Sequence, residues 1–294
     1  MWQARFPPLM VVARGARRLA PWCLLVVTVF LASSSPIKGD AILLGGAGQF
    51  AVLHLGCGDG PHGQLKVNTG TIAGDVGIAA GATGASQPFG FGKFQKGFIA
   101  GMLVVDSNAS SSVVDKNFTV TAGVFSGQDL RFAVDDAISA SAAAAALPAI
   151  DLGIFTGGSL MAGVYHADAF DLNKTTLTIT GGPFERLILN VSGPFDFHQS
   201  EIVLQGGITA DNVLFNVLGT GDVVTVGHSE SIFLGDLLAV EREIIVSELG
   251  VGSPPGAGPG NAGFLGRIIG GQCTDLILHS GAQATRPATH PPPG

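Results

Sequence analysis

Seven histidines could supply metal ligands or a general base: His54, His62, His166, His198, His228, His279 and His290. Zinc sites draw on short spacings such as H-x-H, H-E-x-x-H or a nearby Cys/His pair, and none occurs here. A nucleophile elbow reads G-x-S-x-G. The nearest stretch, GHSES at 227–231, ends on serine instead of glycine. GAGPGNAG has glycines at dinucleotide-like spacing, but it contains a proline and follows PPG, so it reads as a loop and not as a strand-to-helix phosphate turn. Asp135-Asp136 falls in a helical stretch as a solvated pair. Asp168 and Asp171 flank Phe170 and could join a carboxylate pair only across coils of the fold, where sequence spacing gives no warning. No catalytic residue, metal site or cofactor is expected.

The remaining reactive positions concern export and covalent modification. Arg5, Arg14, Arg17 and Arg18 precede an apolar run from Trp22 to Ala32 and the small residues LASSS. This is the layout of a secretory signal peptide, assigned to residues 1–35. A membrane anchor is the alternative, but the run falls short of the roughly 20 apolar residues that a span needs. Removing the leader takes four arginines and no acid, leaving 11 basic against 22 acidic residues, a net charge of −11. So acidic a chain repels phosphate backbones and anionic lipid heads, which argues against nucleic-acid binding and limits membrane contact to the export signal. Two cysteines remain, Cys57 and Cys273. In an oxidising compartment they could pair, provided the two ends of the folded region meet; two buried free thiols are the alternative. N-x-S/T sequons at Asn108, Asn117, Asn173 and Asn190 are candidate glycosylation sites if the host glycosylates what it secretes.

The elements that must position these residues are strands. From Thr176 to Val217 apolar residues alternate over four or five positions, a glycine or polar turn follows, and the pattern returns. Earlier, Leu65, Val67, Ile72, Val76 and Ile78 share one side of their strands. The chain has 44 glycines without a three-residue period, which fits a fold of many tight turns and not collagen. A phrase recurs: Gly74-Asp75-Val76-Gly77-Ile78, Gly101-Met102-Leu103-Val104-Val105, Gly235-Asp236-Leu237-Leu238 and Gly266-Arg267-Ile268-Ile269. A corner glycine followed by inward aliphatics at every second residue is what a coil of a parallel β-helix requires. The rival is an antiparallel sandwich, against which short Asn-Gly or Asp-Gly hairpins are scarce. One helix is expected over 126–147. Ser126 and Asp129 read as a capping box, Leu130, Val134 and Ile138 as an apolar stripe, and Pro148 as the stop. The expected organisation is a β-solenoid domain over 41–283 and a disordered tail over 284–294.

Three features, TGTIAGDVGIAAGA, the inserted helix, and the late series TLTITGG, LILNVSG, ADNVLFNV, FLGDLLAV, FLGRIIGG and LILHSGA, resemble the secreted adhesive domain family called choice-of-anchor A. That family is in turn similar to the β-solenoid of bacterial and fungal ice-binding proteins. The resemblance covers about residues 41–283. It implies a mainly β, right-handed parallel β-helix with one long helix packed alongside. It also implies neighbouring N- and C-terminal strand blocks, which would help Cys57 approach Cys273. The chain departs from the family at its end, HPPPG, where no apolar tail or sorting signal follows.

The function expected on this basis is a secreted, non-enzymatic adhesin or surface-recognition module. Its partner would be an extracellular surface, a glycan or ice, met through a flat face with polar groups about 4.8 Å apart along the stack. Ice binding is the alternative, with Thr176, Thr178 and Thr180 as the candidate contact residues, although no T-x-T repeat persists from coil to coil. A polysaccharide-active enzyme on the same scaffold is a further alternative. Oligomeric state is left open.

Overall fold

The computed structural model describes residues 44–113, 117–228, 231–247, 263–279 and 282–285. The expected export signal over 1–35, residues 251–262 of the Gly/Pro loop expected at 251–263, and residues 286–294 of the expected tail lie outside them. The last strand, Ala282–Thr285, runs past the expected boundary at residue 283.

All registers between named strands are parallel, and the strands stack into a solenoid. A ten-stranded sheet forms the first face, in the order Val124–Gln128, Leu103–Asp106, Val76–Ile78, Val52–His54, Ile268–Gly270, Asp236–Ala239, Val213–Val217, Leu187–Val191, Gly163–Ala167 and Ile150–Asp151. The path explains this order. Four coils climb from Val52 to Gln128, the helix carries the chain along the stack, and six coils return to meet the first. The last coil therefore docks on the first, with Val52, Leu53 and His54 in register with Ile268, Ile269 and Gly270. Two further faces come from one sixteen-stranded sheet, which bends across a corner within Leu65–Ala73 and Gly90–Ile99.

The recurring phrase maps onto one inward column: Leu103, Val76, Val52, Ile268 and Leu237 follow one another in register. Its glycines are required by stacking. Gly266 has φ +154°, and a Cβ there would lie 1.9 Å from the Gly235 carbonyl oxygen; at Gly101 it would lie 2.4 Å from that of Gly74. The aspartates of the phrase tie coil to coil. Asp75 Oδ1 accepts the Met102 N–H at 2.8 Å, and Asp236 Oδ1 accepts the Arg267 N–H at 2.9 Å. Inside, Phe155, Phe170 and Phe195 stack in register, with successive centroids 5.9 and 4.5 Å apart.

The helix, α1, is Arg131–Ala145, five residues shorter at its start than the sequence suggested. Ser126 lies instead in the outermost strand of the first face, because that coil completes its pairing before the chain turns. The capping box is absent. Asp106, at the end of the neighbouring strand, accepts the Leu130 N–H at 2.9 Å, and Asp129 accepts that of Arg131 at 3.1 Å. The buried stripe is Ala133, Val134, Ala137, Ala140, Ser141 and Ala144, with Ile138 only half-buried. Small side chains let α1 lie close on Leu53, Ile188, Leu214, Leu238 and Ile269 of the first face. Its register is set by Asn190, which donates to the Ala144 carbonyl, and by Asn216, which exchanges bonds with Ser141 and donates to Asn190.

His54 is fully buried at the seam between first and last coils. Nε2 lies 3.0 Å from the Thr274 carbonyl, and Nδ1 lies 3.3 Å from the Gly56 N–H. Burial pushes its pKa down to about 4, against the opposing pull of Thr274 and Asp275. The unfolded chain takes up this proton near pH 6.5 and the folded chain does not. The stability His54 supplies is therefore complete above pH 6.5 and lost between 6.5 and 4, by roughly 3 kcal/mol. Asp236 works in the opposite sense. Burial raises it to about 6 despite Arg267 at 2.6 Å, so its contribution is complete below pH 3.8 and lost as pH rises through 6. A His54→Gln variant isolates the first effect. From pH 7 to 4, its unfolding free energy is expected to gain roughly 3 kcal/mol on the wild type in denaturant titrations. A pH-independent difference would show that His54 is not held neutral.

Candidate functional site

α1 covers much of the first face, so the two faces of the bent sheet are the broad surfaces open to a partner. On the second face, Asp171 and Asp196 are exposed, in-register neighbours, followed in register by Thr225, Ile245, Ile277, Lys66 and Lys93. Two adjacent acids at one end and two adjacent lysines at the other make this a charged face. Asp171 thus acquires a carboxylate neighbour from the next coil, and that neighbour is Asp196, not Asp168.

The third face differs in chemistry. Thr176, Thr178 and Thr180 point outward from Thr176–Thr180, while Leu177 and Ile179 point into the core. Their neighbours are in unbroken register: Ser159, Thr178 and Val203 form one row, and Met161, Thr180 and Gln205 a second. A third row runs Thr176, Glu201, Ile232. Further along, Leu234 is beside Leu265, and beyond the corner Thr71, Phe98 and Thr119 are in register. Apart from Gln205 and Phe98 these rows are small, hydroxylic or aliphatic, and Glu201 is the one charge in them. Sequence alone missed Ser159, Val203, Leu234 and Leu265. Their rows come from strands 19 residues apart between Ser159 and Thr178, and 25 apart between Thr178 and Val203, so no tandem period announces them. Leu187–Val191, next along the chain, belongs to the first face.

Other candidate residues fall into place around these faces. Asn108, Asn117 and Asn173 are exposed. Asn190 is not a glycan acceptor in the folded chain: it is buried beneath α1, and its amide is committed to Ala144 and Asn216. Cys57 and Cys273 are joined in a disulfide spanning 216 residues of sequence. Asp59 with these two cysteines is the one grouping of three potential metal ligands among the described residues. Bridged sulfurs offer no thiolate, so the grouping is not a zinc centre as it stands. The His198 and His228 rings lie 3.9 Å apart, and His198 Nδ1 is buried without a hydrogen-bond partner. His166 lies 3.5 Å from an exposed Asp151.

A parallel solenoid with a helix along one face and two open sheet faces defines the class of protein. Solved structures share it. An ice-binding protein from an Arctic yeast, solved in glycosylated form, aligns with a TM-score of 0.55 at 20% identity, over 87% of this chain and 99% of its own. One from the Antarctic ascomycete Antarctomyces psychrotrophicus gives 0.53 at 19%, over 84% and 98%. An ice-binding protein domain from Shewanella frigidimarina gives 0.52 at 18%, over 84% and 98%. A comparison with curated proteins finds no match. The ice-binding-like family model matches residues 64–251, and the chain belongs to that family. This corrects two expectations. The choice-of-anchor A assignment gives way to the ice-binding-like family. The adhesin reading is overturned by the same match, together with the three structural neighbours named above, each an ice-binding protein.

Proposed function

We propose that this protein is an exported, non-enzymatic ice binder that contacts ice through the third face, around Thr176, Thr178 and Thr180. The observation that carries the choice of face is its regular, nearly uncharged surface: rows such as Ser159–Thr178–Val203 repeat at the strand spacing of about 4.8 Å. Ordered, weakly hydrated groups at a fixed repeat can hold surface water in positions an ice lattice continues. Charges instead impose their own hydration shells, which disfavours the acid-and-lysine second face. Family membership supports ice as the partner.

Export is supported by the leader-like residues 1–35 and by the disulfide, which suits an oxidising compartment. Among the described residues no helix is long and apolar enough to cross a membrane. Asn108, Asn117 and Asn173 are the sequons open to glycosylation. The test is thermal hysteresis with ice-recrystallisation inhibition on the purified chain. A freezing-point gap and arrested grain growth are expected. Growth identical to that in buffer, for a chain shown to be folded, would overturn the reading.

A further inference from the structure

The Cys57–Cys273 bridge lies at the seam where the last coil meets the first. The Cys273 N–H donates to the Gly56 carbonyl at 2.9 Å, so backbone and disulfide close the same junction. Cys57 is fully buried, whereas Cys273 is half-buried and lines a hollow of about 400 Å³. An incoming thiol therefore meets the sulfur of Cys273. Asp59 lies against both sulfurs, its Oδ1 2.6 Å from Cys57 Sγ and 3.4 Å from Cys273 Sγ. The backbone that carries Asp59 is pinned by bridges from Cys57 to Phe89 and from Asp59 to Gln87. Glu241 lines the same hollow, together with Thr220, Gln272 and Thr274 and no basic residue. The neighbouring Arg242 is turned inward and committed to main-chain carbonyls.

We propose that Asp59, reinforced by Glu241, is an electrostatic guard on this bridge, making it resist anionic thiols and yield more readily to cationic ones. Reduction proceeds by attack of an external thiolate on Cys273 Sγ. The bond to Cys57 breaks, Cys57 leaves as a thiolate, and a mixed disulfide remains on Cys273. A second external thiolate then attacks the external sulfur and releases Cys273, so two external thiols are oxidised to a disulfide as the protein gains two electrons. Asp59 opposes this at both ends: it repels an anionic attacker and disfavours the negative charge forming on Cys57. The guard keeps the seam covalently closed against anionic thiols.

The test measures reduction of the native full chain by 3-mercaptopropionate (anionic) and by cysteamine (cationic), with rates compared per thiolate. Wild type is expected to react about fivefold faster with the cationic reagent, the combined size of one unit-charge repulsion and one attraction at about 8 Å in water. The preference should shrink in high salt. Asp59→Asn is expected to remove most of the preference, leaving the smaller part that Glu241 supplies, and to raise both rates. Glu241→Gln touches neither sulfur and is expected to lower the ratio part of the way. It carries the test if mass spectrometry shows that Asp59→Asn does not form the bridge. Equal wild-type rates with the two reagents, or a ratio unchanged by Glu241→Gln and by a bridged Asp59→Asn, would overturn the proposal.

Discussion

Leu237→Asp is expected to abolish cooperative folding. Leu237 is fully buried and in register with Phe215 and Ile268, so the substitution sends a carboxylate into the aliphatic and phenylalanine core. Losing the packed side chain costs about 2–5 kcal/mol. An unpaired buried charge adds several more, and the sum reaches the whole stability of an ordinary domain, roughly 5–15 kcal/mol. The residue before it makes the contrast. Asp236 is almost fully buried, but Arg267 answers it at 2.6 Å and by its own N–H. Val76→Asp, in the same inward column, is expected to behave alike. Circular-dichroism melting decides it. An unchanged melting temperature for either variant would remove these strands from the stack and, with them, the solenoid register.

The second large effect concerns function with the fold intact. Thr178→Tyr, at the centre of the Ser159–Thr178–Val203 row, is expected to cut thermal hysteresis at least about tenfold while stability stays within about 0.5 kcal/mol of wild type, as for most surface substitutions. The ring projects from the middle of the face and holds the flanking strands off a rigid lattice, which, unlike a protein partner, does not adjust. Thr225→Tyr on the second face is the control and is expected to leave hysteresis unchanged. The reverse pattern, with Thr225→Tyr silent no longer and Thr178→Tyr harmless, would move the contact to the second face.

How much of this was legible in the sequence depends on the range of the interaction. The glycine-corner phrase was legible, because its copies obey a shared local demand: a corner with no room for a Cβ, against backbone at Gly101 and Gly266 and against side chains at Gly235, and aliphatics at every second position. It maps onto one stacked column, Leu103, Val76, Val52, Ile268 and Leu237. The helix was legible as an element but not at its start, because its first turn is capped by Asp106 from a separate coil. The stripe was legible in part: Leu130 and Val134 are buried and Ile138 is half-buried, while Ala133, Ala137, Ala140, Ser141 and Ala144 complete it because the distance to the sheet is short. Arg242 gave no signal at all. It is 2% exposed and donates to carbonyls of Ser192, Leu218, Gly219 and Asp222, joining successive coils through backbone groups that no side-chain pattern records. The threonine strand was legible, whereas the rows it joins were not. Parallel neighbours are set by coil length, which varies from turn to turn, and the docking of last coil on first lies beyond any periodicity.

Ice-affinity partitioning of the purified chain, with crystal habit followed by microscopy, tests the central claim most directly. An ice binder with this fold is expected to concentrate in the growing ice and to facet the crystals, and Thr178→Tyr to stay in the liquid. Exclusion of the folded wild-type chain from ice, with crystals growing as round discs, would contradict ice binding.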